Sequence, residues 1–306
     1  MDLEKMNENI DTRSAFIMIT GRPNVGKSTL MNALVGEKVA IVSKKPQTTR
    51  NRITGVLTKG KDQYVFIDTP GLHRPKNLLG EYMMKAVGSA SSDADAVMFV
   101  VDASVPLTVT ERNALESYSA ADMKKVLIIN KTDVTDKTAI LKYIAEISAL
   151  YTFDSVIPVS ALTGDGIDTV MEEIEKYLVP SPHFFPEDLY TDQPEKQIVS
   201  EVIREKALRL TDDEIPHGVA VVIEEFKEKK DVITIRAELY VEKQAHKKIV
   251  IGKDGAMLKK IGSYAREDLE NILGARIFLD IWVKVKENWR DRPTLLTNFG
   301  YGDNDQ

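Results

Sequence analysis

Short apolar runs alternate with amphipathic segments over the first 180 residues, and this alternation constrains the fold more than any other feature. The runs are AFIMI, YVFI, AVMFVV, VLII and SVIPV. Runs of this kind are typical of strands buried on both faces, and helices between them connect parallel neighbours. We therefore predict an α/β domain over residues 15–180 with a mainly parallel, doubly wound sheet. The segments NRITGVLTKG and KDQYVFI predict a hairpin that adds one antiparallel strand.

A proline-rich stretch, VPSPHFFPEDLYTDQP, ends this domain. Because proline interrupts helices and central strands, we predict a linker over residues 181–194. Residues 1–14 are polar and predict an N-terminal tail that resembles neither a secretory signal nor a transit peptide. No apolar run approaches the ~18 residues of a membrane-spanning helix. We therefore expect a cytoplasmic protein.

Residues 195–306 predict a smaller α+β domain with a C-terminal tail. Its predicted elements are a helix over Glu195–Leu210, strands over Val219–Phe226 and Val232–Val241, a helical stretch around residues 247–273, and a strand over Ala275–Val285. The net charge of the chain is −6, yet residues 243–262 contain six lysines and one aspartate. This local excess indicates an anionic partner. The chain has no cysteine, which excludes disulfides and thiolate metal sites.

The stretch GRPNVGKST lies between the first apolar run and a helical segment, the setting of a phosphate-binding loop. Glycines let backbone amides converge on phosphate oxygens, the lysine reaches the β- and γ-phosphates, and the serine hydroxyl can bind Mg²⁺. Alone, such a loop indicates a nucleoside triphosphate and no particular base. The predicted phosphate-binding residues are Gly21, Asn24, Val25, Gly26, Lys27, Ser28, Thr29, Asp68 and Gly71.

Three motifs at the ends of later apolar runs indicate which nucleotide the loop binds. DTPG follows YVFI, where a carboxylate can hold the Mg²⁺ shell and a glycine amide can meet the γ-phosphate. NKTD follows VLII, and its carboxylate can accept two N–H groups that guanine offers and adenine lacks. SAL follows SVIPV, where backbone amides can meet guanine O6. Ligands bind at these strand ends in open α/β sheets. The predicted guanine-binding residues are Asn130, Lys131, Asp133, Ser160 and Ala161.

Together, GRPNVGKS, DTPG, NKTD and SAL resemble the motifs of the translation-factor-like GTPases. The resemblance implies GTP with Mg²⁺, and a first switch in VGEKVAIVSKKPQTTR whose threonine closes over the ion. Thr48 and Thr49 both qualify. We favour Thr49, because the family places this threonine next to the arginine, here Arg50. The expected Mg²⁺ ligands are Ser28, Thr49 and Asp68.

Leu72 occupies the place where Ras-like enzymes carry the glutamine that orients the attacking water. A leucine cannot hydrogen-bond water, so we expect slow intrinsic hydrolysis. Related GTPases whose loops also read GRPN hold a K⁺ ion, which makes Asn24 a candidate K⁺ ligand. Asn24 also suits a tight turn, and both interpretations stand.

The stretch KKIVIGKDGAMLKKIG contains a G-x-x-G loop between two amphipathic segments. In KH modules this loop lets a nucleic-acid backbone approach closely, and the element order around it matches the bacterial KH variant. Lysine runs are also often solvated helix faces. The predicted RNA-binding residues are Lys247, Lys248, Gly252, Lys253, Asp254, Gly255, Lys259 and Lys260.

The order of GTPase domain, linker and KH module resembles the Era family of bacterial GTPases over nearly the whole chain. The resemblance implies binding of 16S ribosomal RNA near its 3′ end, assistance to assembly of the 30S subunit, and slow GTP hydrolysis that permits release. It also implies peripheral association with the inner membrane, and we expect a monomer.

Two rival functions use the same features. The chain could be an RNA-binding module that senses GTP without turnover, which Leu72 would permit. Alternatively, the basic region could meet an anionic membrane instead of RNA. Trp282, on the predicted strand IFLDIWVKV, could stack a base or pack under a helix or the other domain, and the sequence favours packing.

Overall fold

A computed structural model describes residues 11–211 and 215–302. The chain forms two compact units. The first comprises Thr49–Arg74, Met83–Asp192 and the described residues up to Ala40. The second comprises Ile41–Thr48, Pro75–Tyr82 and the described residues from Gln193 onward. Two short segments inside the predicted GTPase domain therefore belong to the second unit.

The first unit is the predicted doubly wound α/β domain. Its sheet has the order β2-β3-β1-β4-β5-β6, in which β2 and β3 form the predicted antiparallel hairpin and the other neighbours are parallel. The strands are β1 (Arg13–Thr20), β2 (Ile53–Lys59), β3 (Asp62–Asp68), β4 (Ala96–Asp102), β5 (Lys124–Asn130), β6 (Ser155–Pro158) and β7 (Val179–Pro180). The helices are α1 (Lys27–Val35), α2 (Leu78–Ser92), α3 (Val109–Ala120), α4 (Lys137–Leu150) and α5 (Ile167–Glu175), and the part of α2 up to Tyr82 belongs to the second unit.

Alternate residues of the central strand pack against different helices. Ile17 and Ile19 lie in one core cluster with residues of α1 and α5, whereas Met18 lies in another with residues of α2. Both sheet faces are therefore covered, which explains the apolar runs. Strand β1 begins at Arg13, inside the predicted tail, because this residue pairs with both Asp62 and the antiparallel β7. Of that tail, residues 1–10 lie outside the described residues.

The predicted linker is not free of the first unit. The side chain of Gln63 accepts hydrogen bonds from the amides of Phe184 (2.8 Å) and Phe185 (3.0 Å). Further along, the amide of Val56 donates to the carbonyl of Tyr190 (2.8 Å). The first unit accordingly extends to Asp192. Proline excluded regular structure here, as expected, but backbone groups of this segment find partners on the edge hairpin.

The second unit contains a three-stranded sheet of order β10-β9-β8, in which β9 is antiparallel to β8 and parallel to β10. Its elements are α6 (Glu195–Leu210), β8 (Ala220–Lys229), β9 (Val232–Val241), α7 (Gln244–Ile251), α8 (Ala256–Leu273), β10 (Arg276–Val285) and α9 (Pro293–Asn298). The predicted helical stretch is thus two helices, separated at the G-x-x-G loop. Apolar residues of α6 and α8 share one core cluster with the inner face of this sheet.

The C-terminal segment packs into the second unit. Trp289 is fully buried, and its indole Nε1 donates to the carbonyl of Gly218 (2.9 Å). The indole also stacks on Tyr301, with 5.8 Å between ring centroids. Among the helices of the described residues, none combines the length and apolar character needed to cross a membrane.

Candidate functional site

The phosphate-binding loop and the guanine motif form one site in the first unit. The loop leads from β1 into α1, with Gly26 in the left-handed conformation (φ 101°). A Cβ on Gly26 would lie 2.2 Å from Nδ2 of Asn130, so any residue larger than glycine would collide with the Asn130 side chain. The same Nδ2 donates to the carbonyl of Val25 (2.8 Å). Thr29 lies in the first turn of α1, behind the loop.

Lys27 is the first residue of α1 and is buried in the loop. Its Nζ donates to the carbonyl of Arg22 (3.0 Å). Burial lowers the pKa of Lys27 to about 8, although nearby Asp68 favours the charged form. A buried ammonium that is disfavoured in this way is suited to an anionic partner, such as the phosphates of a nucleotide.

The three expected Mg²⁺ ligands meet beside Lys27. Ser28 Oγ donates to Asp68 Oδ2 (2.5 Å) and lies 2.9 Å from Thr49 Oγ1, which also donates to Asp68 Oδ2 (3.3 Å). Within the described residues, the buried Oδ1 of Asp68 accepts no hydrogen bond. Burial raises the pKa of Asp68, and a divalent cation would favour its carboxylate form. Mg²⁺ binds such oxygens together with phosphates, so these residues fit the ion.

The hydroxyl groups of the two switch threonines have different partners. The Thr48 hydroxyl donates to the carbonyl of Lys45 (2.6 Å). Thr49 is instead the residue whose hydroxyl reaches Ser28 and Asp68. Thr49 thus lies beside the other two expected Mg²⁺ ligands, and its role as a ligand stays a prediction.

The second switch begins where β3 ends. The amide of Leu72 donates to the carbonyl of Gly21 (3.0 Å), which holds the turn against the phosphate-binding loop. The Leu72 side chain packs against core clusters that contain Phe99 and Ile67. It therefore serves packing and offers no polar group to water. The carbonyl of Gly71 accepts a hydrogen bond from Nδ1 of His73 (2.8 Å).

The two guanine motifs are linked to each other. Ser160 Oγ donates to Oδ1 of Asp133 (2.7 Å), which orients the carboxylate predicted to read guanine. The amide of Ala161 donates to Oδ1 of Asn130 (3.0 Å). If the Ala161 amide also donates to guanine O6, its hydrogen must be shared between O6 and the side-chain oxygen of Asn130. Both loops follow neighbouring parallel strands, as their positions in the sequence predict.

An ion-pair network that sequence reasoning missed joins the guanine motif to the phosphate-binding loop. Lys131 Nζ donates to Oδ2 of Asp102 (2.7 Å), and Arg22 lies 3.7 Å from the same oxygen. Arg22 Nε also pairs with buried Glu111 (3.0 Å). Although partial burial opposes ionisation, hydrogen bonds from Lys131 and Ser104 hold the pKa of Asp102 below its usual range. Asp102 ends a buried strand, a position that could have drawn attention to it.

Residues 41–48, most of the first switch, belong to the second unit. The amide of Val42 donates to Oε1 of buried Glu205 on α6 (3.0 Å). The Val42 carbonyl accepts hydrogen bonds from Nε (3.0 Å) and a terminal nitrogen (2.8 Å) of Arg209. The sequence contains no periodic or motif signal for these contacts.

The G-x-x-G loop of the second unit joins α7 to α8. Gly252 has a positive φ (75°), and a Cβ there would lie 2.7 Å from the Cβ of Met257. Gly255 also has a positive φ (78°), but a Cβ there would meet no atom within 4 Å. The first glycine is therefore required by packing, whereas the second leaves the loop surface open. Asp254 lies between them, exposed and with positive φ (52°).

The predicted RNA-binding lysines are distributed around this loop. Those that are exposed are Lys248, Lys253, Lys259 and Lys260, and Lys247 is half-buried. Exposed ammonium groups around a loop attract phosphates through salt-dependent electrostatics.

A groove of about 480 Å³ extends from the loop between α8 and the edge strand β10. Its lining residues are Gly255, Leu258, Lys259, Gly262, Ser263, Arg266, Ile277, Phe278, Leu279 and Ile281. It thus combines an apolar floor with cations and the open glycine. Sequence reasoning identified only Gly255 and Lys259, because the other lining residues lie on α8 and β10 and face each other only after folding.

The expectation that Trp282 packs under a helix or the other domain is wrong within the described residues. The side chain is 59% exposed, on the face of β10 that points away from the core. The alternation on β10 indicated this face correctly, with Ile277 and Val283 buried on the other.

Comparison with known proteins shows the family to which the chain belongs. A family model described as 50S ribosome-binding GTPase matches residues 16–131, and a KH-domain model matches residues 214–290. The GTPase Era of Ruminiclostridium cellulolyticum is 47% identical over 293 residues, covering 95% of this chain and 98% of that protein. The GTPase Era of Clostridioides difficile is also 47% identical, over 294 residues, covering 95% and 99%.

Two solved structures are similar over the same length. Era in complex with MgGDPNP and nucleotides 1506–1542 of 16S ribosomal RNA superposes with a TM-score of 0.92 at 37% identity, covering 95% of this chain and 99% of that one. A variant of Aquifex aeolicus Era bound to GDP and AlF4⁻ gives a TM-score of 0.91 at 37% identity, covering 95% and 100%.

Proposed function

The chain belongs to the Era family of GTPases and hydrolyses GTP to GDP and phosphate, and from this premise we propose that it is a nucleotide-controlled switch that binds 16S ribosomal RNA and assists assembly of the 30S subunit. The observation that carries the proposal is the open G-x-x-G loop beside a cation-lined groove, on a chain that also contains a complete guanine-nucleotide site. The similar Era structure that contains a 16S fragment supports this choice of RNA.

The residues of the first unit divide the work of hydrolysis. Backbone amides of the phosphate-binding loop and Lys27 bind the phosphates and stabilise charge that develops during phosphoryl transfer. Ser28, Thr49 and Asp68 would hold Mg²⁺, which supplies charge neutralisation at the β- and γ-phosphates. Asp133, oriented by Ser160, selects guanine.

Hydrolysis without external help is expected to be slow, because Leu72 packs in the core and orients no water. We propose that a K⁺ ion near Asn24 supplies part of the missing stabilisation. Asn24 has a positive φ (66°) and lies exposed in the phosphate-binding loop. Turnover measured in KCl and in NaCl tests this proposal, and equal rates in the two salts would exclude K⁺.

The first switch offers a route by which the nucleotide can influence RNA binding. Thr49 lies at the Mg²⁺ position of the first unit, and the preceding residue, Thr48, accepts a hydrogen bond at its carbonyl from Arg204 on α6 of the second unit. A rearrangement of Thr49 on loss of the γ-phosphate would therefore act on α6 through one peptide bond. Coupling requires that the two nucleotide states differ in their interactions, and we propose that the hydrogen bond between Arg204 and the Thr48 carbonyl is one that differs.

The affinity for a 16S fragment of nucleotides 1506–1542, measured with GDPNP, with GDP and without nucleotide, tests the switch. We expect at least about fivefold between two of these states, a typical coupling. Arg209→Ala removes two hydrogen bonds to Val42 and should narrow the difference in RNA affinity between the nucleotide states. Lys142→Ala, on the exposed face of α4 in the first unit, is the control. Equal affinity in all three states would refute the switch while leaving GTP hydrolysis untouched.

We also propose a cytoplasmic monomer that attaches reversibly to the inner face of the membrane, because exposed lysines of the second unit would attract anionic lipids as well as RNA. Flotation with vesicles of 30% phosphatidylserine, with and without the 16S fragment, tests this attachment. Sedimentation measures the mass of the protein in solution and therefore tests whether it is a monomer. If the protein fails to float at low salt, the membrane proposal is wrong.

A further inference from the structure

We propose that the outer face of β10 is a stacking surface for single-stranded RNA bases that leave the groove, with Phe278 and Trp282 as its two platforms. This inference rests on the proposed function, because it extends the RNA path beyond the groove described above. It assigns a second binding surface to the RNA, recognised by aromatic stacking.

These two rings are the most exposed aromatic side chains among the described residues of this unit. Phe278 and Trp282 are 61% and 59% exposed, compared with 45% for Tyr264 on α8 and at most 8% for Trp289, Tyr240 and Tyr301. Large aromatic side chains gain the most from burial, so two exposed rings on one strand indicate a surface that a partner covers.

The surface is continuous with the groove. Phe278 is one of the groove's lining residues, and it shares the outer face of β10 with Trp282. At about 3.3 Å per residue, the two positions lie ~13 Å apart along the strand. A chain of nucleotides that runs out of the groove past Phe278 would therefore reach Trp282 next along the same strand.

The orientation of the indole leaves its ring available. Nε1 of Trp282 donates to Oδ2 of Asp280 (2.8 Å), and the same carboxylate oxygen lies 3.9 Å from Nε of Arg236. The polar edge of the ring is thus satisfied within the protein, and its faces are left for an apolar contact. Stacking on a base uses such a ring face and tolerates any base.

The neighbours of the two rings favour nucleic acid over a protein partner. Between and beside them lie the charged residues Asp280, Arg236, Lys284 and Lys286. Cores of protein interfaces are depleted in charged residues, whereas single-stranded RNA needs isolated aromatic platforms flanked by cations for its phosphates. Lys284 pairs with Glu238, whereas Arg276 at the start of β10 and Lys286 just after its end are exposed to solvent, where phosphates can reach them.

The chain carries its own probe for this proposal. It contains two tryptophans, of which Trp282 is exposed and Trp289 is fully buried. Titration of the full-length protein with the 16S fragment of nucleotides 1506–1542 should quench the Trp282 emission and shield it from iodide. The Trp282→Phe variant reports Trp289 alone, and its emission should stay constant during the same titration.

Affinity measurements separate stacking from charge. Trp282→Ala and Phe278→Ala should each weaken binding about fivefold or more, and Trp282→Phe should recover most of the loss. The salt dependence of binding should not change in these variants, because no phosphate contact is removed. Tyr190→Ala, which removes an exposed aromatic ring from the first unit, is the control and should bind as the wild type does.

Each other outcome overturns the proposal in a distinguishable way. If RNA binds and Gly255→Asp weakens it, but neither ring variant loses affinity and Trp282 is not quenched, the RNA stays in the groove. If Trp282 emission changes with protein concentration in the absence of RNA, a second copy of the chain covers the surface. If no variant and no wild-type protein binds RNA, the proposed function itself is wrong.

Discussion

The nucleotide site and the RNA groove are built on opposite physical principles. In the nucleotide site, Lys27, Asp68 and Asn130 are buried, and each is already hydrogen-bonded to a residue of the phosphate-binding loop or of the first turn of α1. Around the groove, Lys253 and Lys259 are exposed to solvent. A buried polar group costs free energy unless a partner satisfies it, so the first site is specific for a ligand that supplies the right partners. Exposed charges instead contribute additively to binding and are screened by salt.

This difference teaches where single substitutions should matter. Removal of one buried group leaves its ligand or its neighbours without a partner, which costs far more than one surface charge. We therefore expect effects to decrease from the phosphate-binding loop to the guanine motif, then to the G-x-x-G loop, and finally to a single groove lysine.

The largest effect is expected for Lys27→Met. GTP turnover should fall at least about 100-fold, because the charge that binds the β- and γ-phosphates is lost. The free energy of unfolding without nucleotide should rise only modestly at pH 7, because burial disfavours the ammonium but its hydrogen bond to the Arg22 carbonyl and its attraction to Asp68 are also lost. Phosphate release and urea unfolding measure the two quantities. Lys142→Met, on the exposed face of α4, is the control, and a loss of stability in Lys27→Met would contradict the argument.

The second effect concerns base selection by Asp133→Asn. The amide cannot accept both guanine N–H groups, so the affinity for GTP should fall by about 100-fold, and xanthosine triphosphate should become the preferred nucleotide. The loop itself should persist, because the asparagine Oδ1 can still accept from Ser160 Oγ. Competition between the two nucleotides for a fluorescent analogue measures the change. An unchanged preference would place the guanine elsewhere.

The third effect compares the two glycines of the G-x-x-G loop. Gly255→Asp should weaken RNA binding about tenfold with little change in stability, since its Cβ meets open space and aspartate tolerates a positive φ. Gly252→Asp should lower the free energy of unfolding by about 2 kcal/mol, because its Cβ would collide with Met257. Filter binding and thermal unfolding distinguish them. Both variants should keep the wild-type affinity for GTP.

The smallest effect is expected for Lys259→Gln at the groove. Loss of one phosphate contact should weaken RNA binding about twofold to fivefold at physiological salt, and should reduce the slope of log affinity against log salt by about 0.7. Titrations at several KCl concentrations measure this slope. Lys142→Gln should leave it unchanged, and an effect as large as that of Gly255→Asp would mean that Lys259 does more than neutralise phosphate.

Much of the nucleotide site could be predicted because its residues lie in short contiguous motifs at strand ends. The parallel sheet then brings Gly26, Asp68, Asn130 and Ser160 to one edge without further information. The network through Asp102 and Glu111 was not predicted, because neither residue lies in a recognisable motif, although Asp102 does end a buried strand. The linker was also incompletely described, since proline content excludes helices but does not reveal that Gln63 holds the segment by hydrogen bonds.

The sequence by itself determined the identity of the ligand loops and the alternation of strands and helices, because both depend on neighbours within about ten residues of chain. Only the tertiary structure decided that residues 41–48 belong with α6, that Gly255 rather than Gly252 is open, and that Trp282 faces solvent. The position of residues 41–48 depends on contacts with a helix far along the chain, such as the hydrogen bond between Val42 and Glu205. The difference between the two glycines depends on how the loop folds back onto Met257, which no periodicity of the sequence reveals.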